Sequence, residues 1–235
     1  MKAIEITNLT KKYKDIVAVD NLNLEIEENK LFALLGVNGA GKSTTIKMLS
    51  TLISPTSGDA FILGKSIVSQ ASDVKNMINV SPQETAVAMN LTVYENIKFI
   101  GEIYNIDNDY ILEIISKLGL EEVKNKYAKK LSGGYQRRLS IAMALVSKPK
   151  VLFLDEPTLG LDVIARSELW QFIKLIKSEM TIILTTHYLE EVEELADEVG
   201  IMAKGKLKIK GTIDEIIASK NYNNFEQAFI DIASK

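Results

Sequence analysis

The 235-residue chain contains no cysteine, and no apolar run in it is long enough to cross a membrane. Without cysteine the chain can form no disulfide and do no thiol chemistry, which suits a reducing compartment and makes the cytoplasm the default expectation. A membrane-spanning helix needs about 18 to 20 consecutive apolar residues. The N-terminus also lacks the apolar core of a signal peptide. Any role at a membrane is therefore expected to depend on a partner protein.

The chain also has little net charge. Its formal charge is -3, from 28 basic and 31 acidic residues that are mixed along the sequence. This pattern does not indicate a nucleic-acid-binding face, so we expect no nucleic-acid partner. The length suffices for one large α/β domain, or for one domain with an inserted subdomain. We expect a complete folding unit with a substantial core.

One stretch matches the phosphate-binding loop pattern of glycine, four residues, Gly-Lys and Ser or Thr. It consists of Gly36, Val37, Asn38, Gly39, Ala40, Gly41, Lys42 and Ser43. Glycines let successive backbone N–H groups converge on one anion, and the helix that follows adds its unpaired N-terminal donors. Lys42 can reach the outer phosphates of a nucleotide, and the Ser43 hydroxyl can bind Mg²⁺. Thr44, the next residue, completes the predicted phosphate site.

The surroundings of this loop favour nucleotide binding over a simple turn. An apolar run at residues 31–35 predicts a buried strand before the loop, and residues 45–49 predict a helix after it. A plain strand-to-helix turn needs only one or two glycines and no Lys-Ser pair. The sequence therefore predicts a nucleotide site.

The chain as a whole predicts an α/β fold of the P-loop NTPase, RecA-like type. Alternation at residues 3–9 and 17–27 predicts antiparallel strands on either side of a polar turn at residues 12–15. Further strands are predicted at residues 60–63, 78–81, 151–154, 181–184 and 198–203. Helical periodicity is found at residues 93–104, 110–118, 134–146, 163–179, 189–196, 213–219 and 225–233.

These elements predict a mostly parallel sheet core that carries an insertion. Residues 1–83 and 148–212 are expected to form the nucleotide-binding core, together with an N-terminal antiparallel β-subdomain. Residues 84–147 are expected to form an inserted α-helical subdomain, and residues 213–235 to form C-terminal helices.

Two carboxylates, Asp155 and Glu156, follow the apolar strand at residues 151–154. Ligands of open α/β sheets bind at this end of the strands. Beside a phosphate loop, Asp155 suits a Mg²⁺ ion, and Glu156 suits the orientation and deprotonation of an attacking water. A lone Asp-Glu pair would more simply cap the next turn. Its combination with the phosphate loop favours the catalytic interpretation.

A second anion site is predicted at Ser132, Gly133 and Gly134. Ser132 suits a helix N-cap, and the glycines leave the helix N-terminus open to a phosphate. From the residues alone, a plain helix cap is an equally good interpretation. The Leu-Ser-Gly-Gly stretch nevertheless resembles the signature motif of the ATP-binding-cassette (ABC) ATPases, and the other motifs follow in that family's order over residues 3–211. In the family this motif contacts the γ-phosphate of ATP held on the opposing subunit.

The resemblance implies roles for three further residues. Tyr13 matches the aromatic residue that stacks on adenine, and the alternative is a surface tyrosine in a turn. Gln83 matches the glutamine that reaches Mg²⁺ and the attacking water and senses the transport partner, and the alternative is a polar loop residue. His187, the only histidine, matches the switch histidine at the γ-phosphate. A lone histidine is more often structural, but its position after two threonines favours the switch role.

Two other features are less informative. Leu161 and Asp162 match the family's loop that communicates across the dimer. Leu159 and Gly160 stand where the family more often has Ser-Ala, so the role of the first residues in that loop stays open. Trp170 lies on the apolar face of a predicted helix and is expected to pack in the core without a catalytic role.

The resemblance implies a subunit that binds and hydrolyses ATP with Mg²⁺. Two copies, expected to be a homodimer, would close around two ATP molecules and power a separate integral-membrane permease at the cytoplasmic face of the membrane. Lys42 and Mg²⁺ would neutralise charge during catalysis, while Glu156 handles water. An ATP-dependent regulatory or binding cassette that is not dedicated to transport is the alternative.

Other branches of the family fit the chain less well. DNA-repair and chromosome-structuring members insert long coiled coils, whereas only about 110 residues separate the phosphate loop from Asp155 here. Translation factors usually carry two cassettes. Residues 81–84, 90–96 and 186–193 are similar to the drug, antibiotic-resistance and sodium exporter branch. The apolar residues Met89, Leu91, Val93 and Tyr94 are expected to meet a cytoplasmic helix of the permease.

Overall fold

The computed structural model describes residues 1–234 and contains two β-sheets with helices packed around them. The strands are β1 (Lys2–Tyr13), β2 (Ile16–Glu27), β3 (Leu31–Leu35), β4 (Ser57–Ile62), β5 (Lys65–Ser66), β6 (Ile78–Ser81), β7 (Val151–Asp155), β8 (Thr181–Thr186), β9 (Glu198–Ala203) and β10 (Lys206–Gly211). The α-helices are α1 (Lys42–Leu49), α2 (Ala71–Lys75), α3 (Val93–Ile103), α4 (Asn108–Lys117), α5 (Gly133–Leu145), α6 (Val163–Ile176), α7 (Leu189–Leu195), α8 (Ile213–Ala218) and α9 (Phe225–Ser234). The C-terminal residue of the predicted 213–235 segment lies outside the described residues.

The first sheet is antiparallel, with the strand order β2-β1-β4-β5. The expected β1 and β2 strands are present, but the expected turn at residues 12–15 is too long. Tyr13 pairs directly with Ile16, so only Lys14 and Asp15 turn the chain, and Lys14 has a φ of 50°. Local polarity indicated a turn at Lys12 and Tyr13, whereas cross-strand pairing keeps both residues in β1. Tyr13 consequently ends a strand.

The second sheet determines where the candidate functional residues lie. Its order is β10-β9-β3-β8-β7-β6, and all neighbouring pairs are parallel except β10 with β9. The strands β3, β7 and β8 are buried throughout. Because carboxyl ends of parallel strands meet at one edge, the segments after β3, β6, β7 and β8 converge there. These segments carry Gly36, Gln83, Glu156 and His187 respectively.

The inserted helices α3, α4 and α5 pack around one apolar cluster that continues into the six-stranded sheet. Thr92 and Glu95 form a capping box that starts α3, and Asp107 caps α4 by accepting from the Tyr110 N–H at 2.8 Å. This cap starts α4 two residues before the predicted position. Helix α6 is shorter than predicted because Glu179 N–H bonds to the Ile176 carbonyl and turns the chain toward β8. The elements α2 and β5 are too short to show a periodic pattern in the sequence, so they were not predicted.

The helices α8 and α9 were predicted from periodicity, and both pack against the six-stranded sheet. Ile216, Phe225, Ala228 and Ile232 join a buried cluster with residues of β3 and β9. Among residues 1–234, no helix combines the length and the hydropathy that spanning a membrane would require.

Candidate nucleotide-binding and catalytic site

The phosphate loop connects β3 to α1 and is packed tightly against two strands. A Cβ added to Gly36 would lie 2.5 Å from the Met202 carbonyl oxygen of β9. A Cβ on Gly41 would lie 2.5 Å from the Ala18 carbonyl oxygen of β2, and Gly41 has a φ of 104° that favours glycine. Both positions therefore require glycine. The loop is fixed by its packing, and its backbone can approach an anion closely.

Lys42, the first residue of α1, is buried and points back into this loop. Its Nζ donates to the Gly36 carbonyl oxygen at 2.8 Å and lies 3.4 Å from Glu156 Oε1. Both the ammonium and the carboxylate are largely buried, since the side chains are 5% and 7% exposed. A buried charge needs a partner of opposite charge, and Lys42 and Glu156 provide this for each other.

Ser43 and Asp155 bring two hard oxygen ligands together. The Ser43 hydroxyl donates to Asp155 Oδ1 at 3.1 Å, and the Thr185 hydroxyl donates to the same carboxylate oxygen. Asp155 ends β7, and Thr185 lies beside it on β8. Hydroxyl and carboxylate oxygens are ligands that Mg²⁺ accepts. The chemistry of this pair fits the predicted metal site.

Glu156 lies between Lys42 and His187. Its Oε2 is 2.5 Å from His187 Nδ1, while Oε1 faces the Lys42 ammonium. The Glu156 backbone has a φ of 50°, a conformation that is uncommon for a residue with a side chain. Its N–H bonds to the carbonyl and the hydroxyl of Thr185 at 3.0 and 3.1 Å, which holds the bend. Such strained residues are found disproportionately at active sites.

A cavity of about 740 Å³ joins these groups. Its wall includes the carboxylate Glu156, the switch candidate His187, Gln83, Tyr13 and the loop residues Asn38, Gly39, Ala40, Gly41, Lys42, Ser43 and Thr44. Tyr13 is 44% exposed, and the Lys11 ammonium lies 5.2 Å from its ring centroid. The wall of the cavity thus includes both an aromatic residue and phosphate-binding groups. That arrangement suits a nucleotide.

The remaining predicted anion site does not share this cavity. Ser132 caps α5 by accepting from the Tyr135 N–H at 3.4 Å, and Ser132 and Gly133 are exposed. Gly133 lines a neighbouring cavity of about 390 Å³, which shares Gln83 and Leu159 with the nucleotide cavity. Within one chain, the α5 terminus therefore lies near the nucleotide cavity but does not line it.

Comparison with known proteins identifies the family. The family model described as ABC transporter matches residues 19–159. The chain belongs to the ABC transporter family. It is an ATP-binding ATPase, which confirms the resemblance and the enzyme class predicted from the sequence.

Several curated proteins are similar to this ABC ATPase. It is 36% identical over 239 residues to the daunorubicin/doxorubicin resistance ATP-binding protein DrrA of Streptomyces peucetius, covering 100% of the chain and 72% of that protein. It is 37% identical over 222 residues to the Nod factor export ATP-binding protein I of Cupriavidus metallidurans, covering 92% of the chain and 73% of the relative. It is 35% identical over 239 residues to the probable multidrug ABC transporter ATP-binding protein YbhF of Escherichia coli, covering 97% of the chain but only 41% of the relative.

Solved structures confirm the fold class. The cbiO1 protein of Clostridium perfringens, described as part of the ABC transporter complex cbiONQ, superposes with a TM-score of 0.83 at 27% identity, covering 94% of this chain and 92% of that one. An ATP-binding subunit of an ABC transporter gives a TM-score of 0.88 at 24% identity, covering 99% of this chain and 100% of that one. The predicted P-loop NTPase fold is therefore correct.

Two buried charged residues beside the candidate site of this ABC ATPase were not predicted from the sequence. Arg137 follows the signature motif on α5 and is 4% exposed, and Glu191 lies on α7 and is 0% exposed. The Trp170 indole N–H donates to Glu191 Oε1 at 3.3 Å, so Trp170 also makes a polar contact in addition to the predicted core packing. Both charged residues lie in helices whose polar patterns indicate solvent exposure. In the sequence, only their proximity to the predicted motifs could have indicated that Arg137 and Glu191 lie near the site.

The environment of Glu191 favours its neutral form. Burial raises the pKa of the Glu191 carboxyl, the neighbouring Thr186, Thr158 and Trp170 oppose that rise, and the Glu156 charge adds to it. Because the folded state holds the proton more tightly, Glu191 stabilises the fold most at pH values below its ordinary pKa of 4.5. That contribution is lost as the pH rises through the folded-state pKa.

We expect the variant Glu191→Gln to become more stable relative to the parent as the pH rises. Glutamine removes the titration and keeps an oxygen for the Trp170 indole. Thermal unfolding of both proteins between about pH 5 and about pH 8 measures the effect. The control is Glu190→Gln, since the Glu190 side chain is 68% exposed and makes only a surface pair with Arg166. A melting-temperature difference for Glu191→Gln that is constant over this range would contradict the expectation.

Proposed function

We propose that this ATPase is the nucleotide-binding subunit of an exporter, in which two copies close around two ATP molecules to drive a separate membrane permease. The observation that carries the proposal is that the exposed Ser132–Gly134 terminus does not line the nucleotide cavity of its own chain, which leaves this candidate anion site available to a second chain. The names of the relatives, which include drug resistance and Nod factor export proteins, support the export role. They favour it over a regulatory cassette without a transport function.

The residues of the site fit hydrolysis of bound ATP. Ser43, Asp155 and, from the same cavity wall, Gln83 would hold Mg²⁺. When bound, Mg²⁺ neutralises charge on the phosphate oxygens. Lys42 would move from Glu156 to the phosphates, because their negative charge competes for the ammonium. That exchange frees Glu156 Oε1 to accept a proton from the attacking water.

His187 would keep Glu156 in place during this exchange. Its Nδ1 holds the second carboxylate oxygen at 2.5 Å, so the carboxylate stays oriented when Lys42 leaves the first. Catalysis then depends on positioning and electrostatics, as in other phosphoryl-transfer sites. We assign Tyr13 to stacking against adenine, which its exposed ring at the cavity edge allows.

The second copy would complete each site. Ser132 and Gly133 are exposed, and a Cβ on Gly133 would have open space around it. The α5 N-terminus can therefore receive a phosphate from another chain. We propose a homodimer in which this terminus closes over the ATP on the partner's phosphate loop.

An apolar groove next to Gln83 suits the permease. It has a volume of about 290 Å³ and is lined by Val80, Pro82, Ala86, Ile100, Ile103, Tyr104 and Met143, among others. Ile103 and the adjacent Phe99 are 59% and 56% exposed. A cytoplasmic helix of the permease would bury these side chains. Pro82 lines the groove and Gln83 lines the nucleotide cavity, so a helix docked here lies next to the site.

This groove differs from the docking surface expected from the sequence. Of the predicted contacts, Met89 is 42% exposed, but Val93 is fully buried in the helical core. Leu91 and Tyr94 are half-buried. The expectation was wrong for Val93 because it faces the interior of the helix bundle. The most exposed apolar side chains of α3, Phe99 and Ile103, lie in its C-terminal half.

Capture of the permease tests the proposal. We expect the tagged ATPase to retain a membrane protein from solubilised membranes, and we expect that protein to stimulate ATP hydrolysis. A charge in the groove, Ile103→Glu, should reduce both by about tenfold or more, because burial of an unpaired carboxylate is costly. The control is Leu175→Glu, which introduces the same charge at a residue that is 68% exposed on α6.

The outcomes separate the two parts of the proposal. Equal capture and stimulation by both variants would exclude the groove as the docking site. A chain that retains no stimulating membrane protein, and whose hydrolysis stays first-order in dilute enzyme without a dimer, would contradict the transporter assembly.

A further inference from the structure

Arg137 donates hydrogen bonds to four backbone carbonyls that belong to two different segments. Its Nη1 bonds to the Pro82 and Gln83 carbonyls at 2.5 and 3.3 Å. Its Nε bonds to the Pro157 carbonyl at 2.7 Å, and its Nη2 bonds to the Asp155 carbonyl at 2.8 Å. One buried guanidinium on α5 therefore joins the end of β6 to the end of β7.

These carbonyls need such a donor. Strands β6 and β7 end at Ser81 and Asp155, and the four carbonyls lie at or just beyond these strand ends. A buried carbonyl without a donor destabilises the fold. The planar fork of arginine can serve several acceptors in fixed directions, whereas the lysine ammonium is a single point. The carbonyl pattern thus matches arginine specifically.

The charge of Arg137 has no carboxylate partner at contact distance among residues 1–234. Burial lowers the pKa of the guanidinium to about 10, although the charges of Asp155, Glu191 and Glu156 oppose this. Arg137 stays charged at neutral pH, and its burial has a cost that surface arginines avoid. Arg166, for comparison, pairs with the exposed Glu190 at 3.0 Å. Such a cost is easier to explain by a role in the reaction than by stability alone.

We propose that Arg137 is a positioning residue that couples the Gln83 loop to the catalytic segment at Asp155 and Glu156. A shift of Pro82 or Gln83 moves the guanidinium, and the guanidinium is bonded on both sides of Glu156. The same helix begins at the Ser132–Gly134 terminus, so the α5 terminus is joined to this contact as well. This inference rests on the proposed function where it concerns the permease, because Pro82 lines the groove proposed for docking.

The test compares Arg137→Lys and Arg137→Gln with the parent in steady-state ATP hydrolysis. Neither substitution changes a residue of the nucleotide cavity. We expect kcat to fall about tenfold or more while KM for ATP stays within about twofold, because positioning of Glu156 is lost and nucleotide contacts are kept. Stimulation by the captured permease should fall further, since the link to the Gln83 loop is broken. The control is Arg166→Lys, a conservative change at a surface ion pair.

Hydrogen exchange on the parent protein provides a second test, which does not depend on whether the variants fold. Adding the groove-binding permease should change exchange in residues 82–85 and 155–158 together. A change confined to residues 82–85, or an unchanged kcat in a folded Arg137→Lys, would overturn the proposal. If no permease is found, the proposed transporter role fails, but a selective loss of kcat still supports positioning of Glu156 by Arg137.

Discussion

Glu156→Gln is expected to bind ATP with nearly the affinity of the parent while turnover falls by at least about 100-fold. Glutamine has the size of glutamate and can keep the contact with His187, but it cannot accept a proton from water. The substituted side chain also no longer neutralises Lys42, which leaves the ammonium free for phosphate. Phosphate release and a nucleotide-binding titration measure the two effects separately.

This variant also tests the assembly. If two chains close around two ATP molecules, blocked hydrolysis traps the closed state, and size-exclusion chromatography with ATP and Mg²⁺ should show a dimer. Glu190→Gln is the matched control, because it makes the same change at an exposed carboxylate. Turnover equal to that of the parent in Glu156→Gln would refute the assignment of Glu156 as the base.

Lys42→Ala is expected to lose most of the affinity for ATP, by about 10- to 100-fold. A hydrogen bond to a charged group contributes about 1.5 to 3 kcal/mol, and Lys42 is the buried cation of the phosphate loop. The substitution also leaves Glu156 without its ammonium partner, so repulsion between this carboxylate and the phosphates adds to the loss. A binding titration with ATP measures the change.

Lys47→Ala is the control for this experiment, since Lys47 lies on the same helix and is exposed. Circular dichroism should give the same secondary structure for both variants. Affinities that are equal in Lys42→Ala and Lys47→Ala would exclude a direct contact between Lys42 and the nucleotide.

Much of the site was predictable because its residues lie within short motifs. The loop from Gly36 to Ser43 has a local reason for each residue type, and Asp155 and Glu156 follow an apolar strand whose end must lie at the sheet edge. Parallel strand order then brings Glu156 close to Lys42. The contact of His187 with Glu156 follows from the adjacency of β7 and β8.

Other features depend on contacts that no local pattern contains. The carbonyls that Arg137 serves are 54 to 55 residues before it and 18 to 20 residues after it. Glu191 stands among acidic residues typical of a solvated helix face, yet it is buried against Trp170. The apolar side chain of Val93 would suit either a partner interface or the core, so its residue type alone does not distinguish the two. In each case the neighbours that decide the outcome are brought together only by the fold.

The placement of Trp170 has a consequence for spectroscopy. It is the only tryptophan in the chain. Its half-buried indole donates to Glu191 on α7, and the Arg166 guanidinium lies 5.1 Å from its ring. Helix α6 starts after its N-cap Asp162, and α7 starts two residues after His187. The indole therefore lies at the contact between α6 and α7. The tryptophan emission of the unlabelled protein therefore originates at a single contact between α6 and α7.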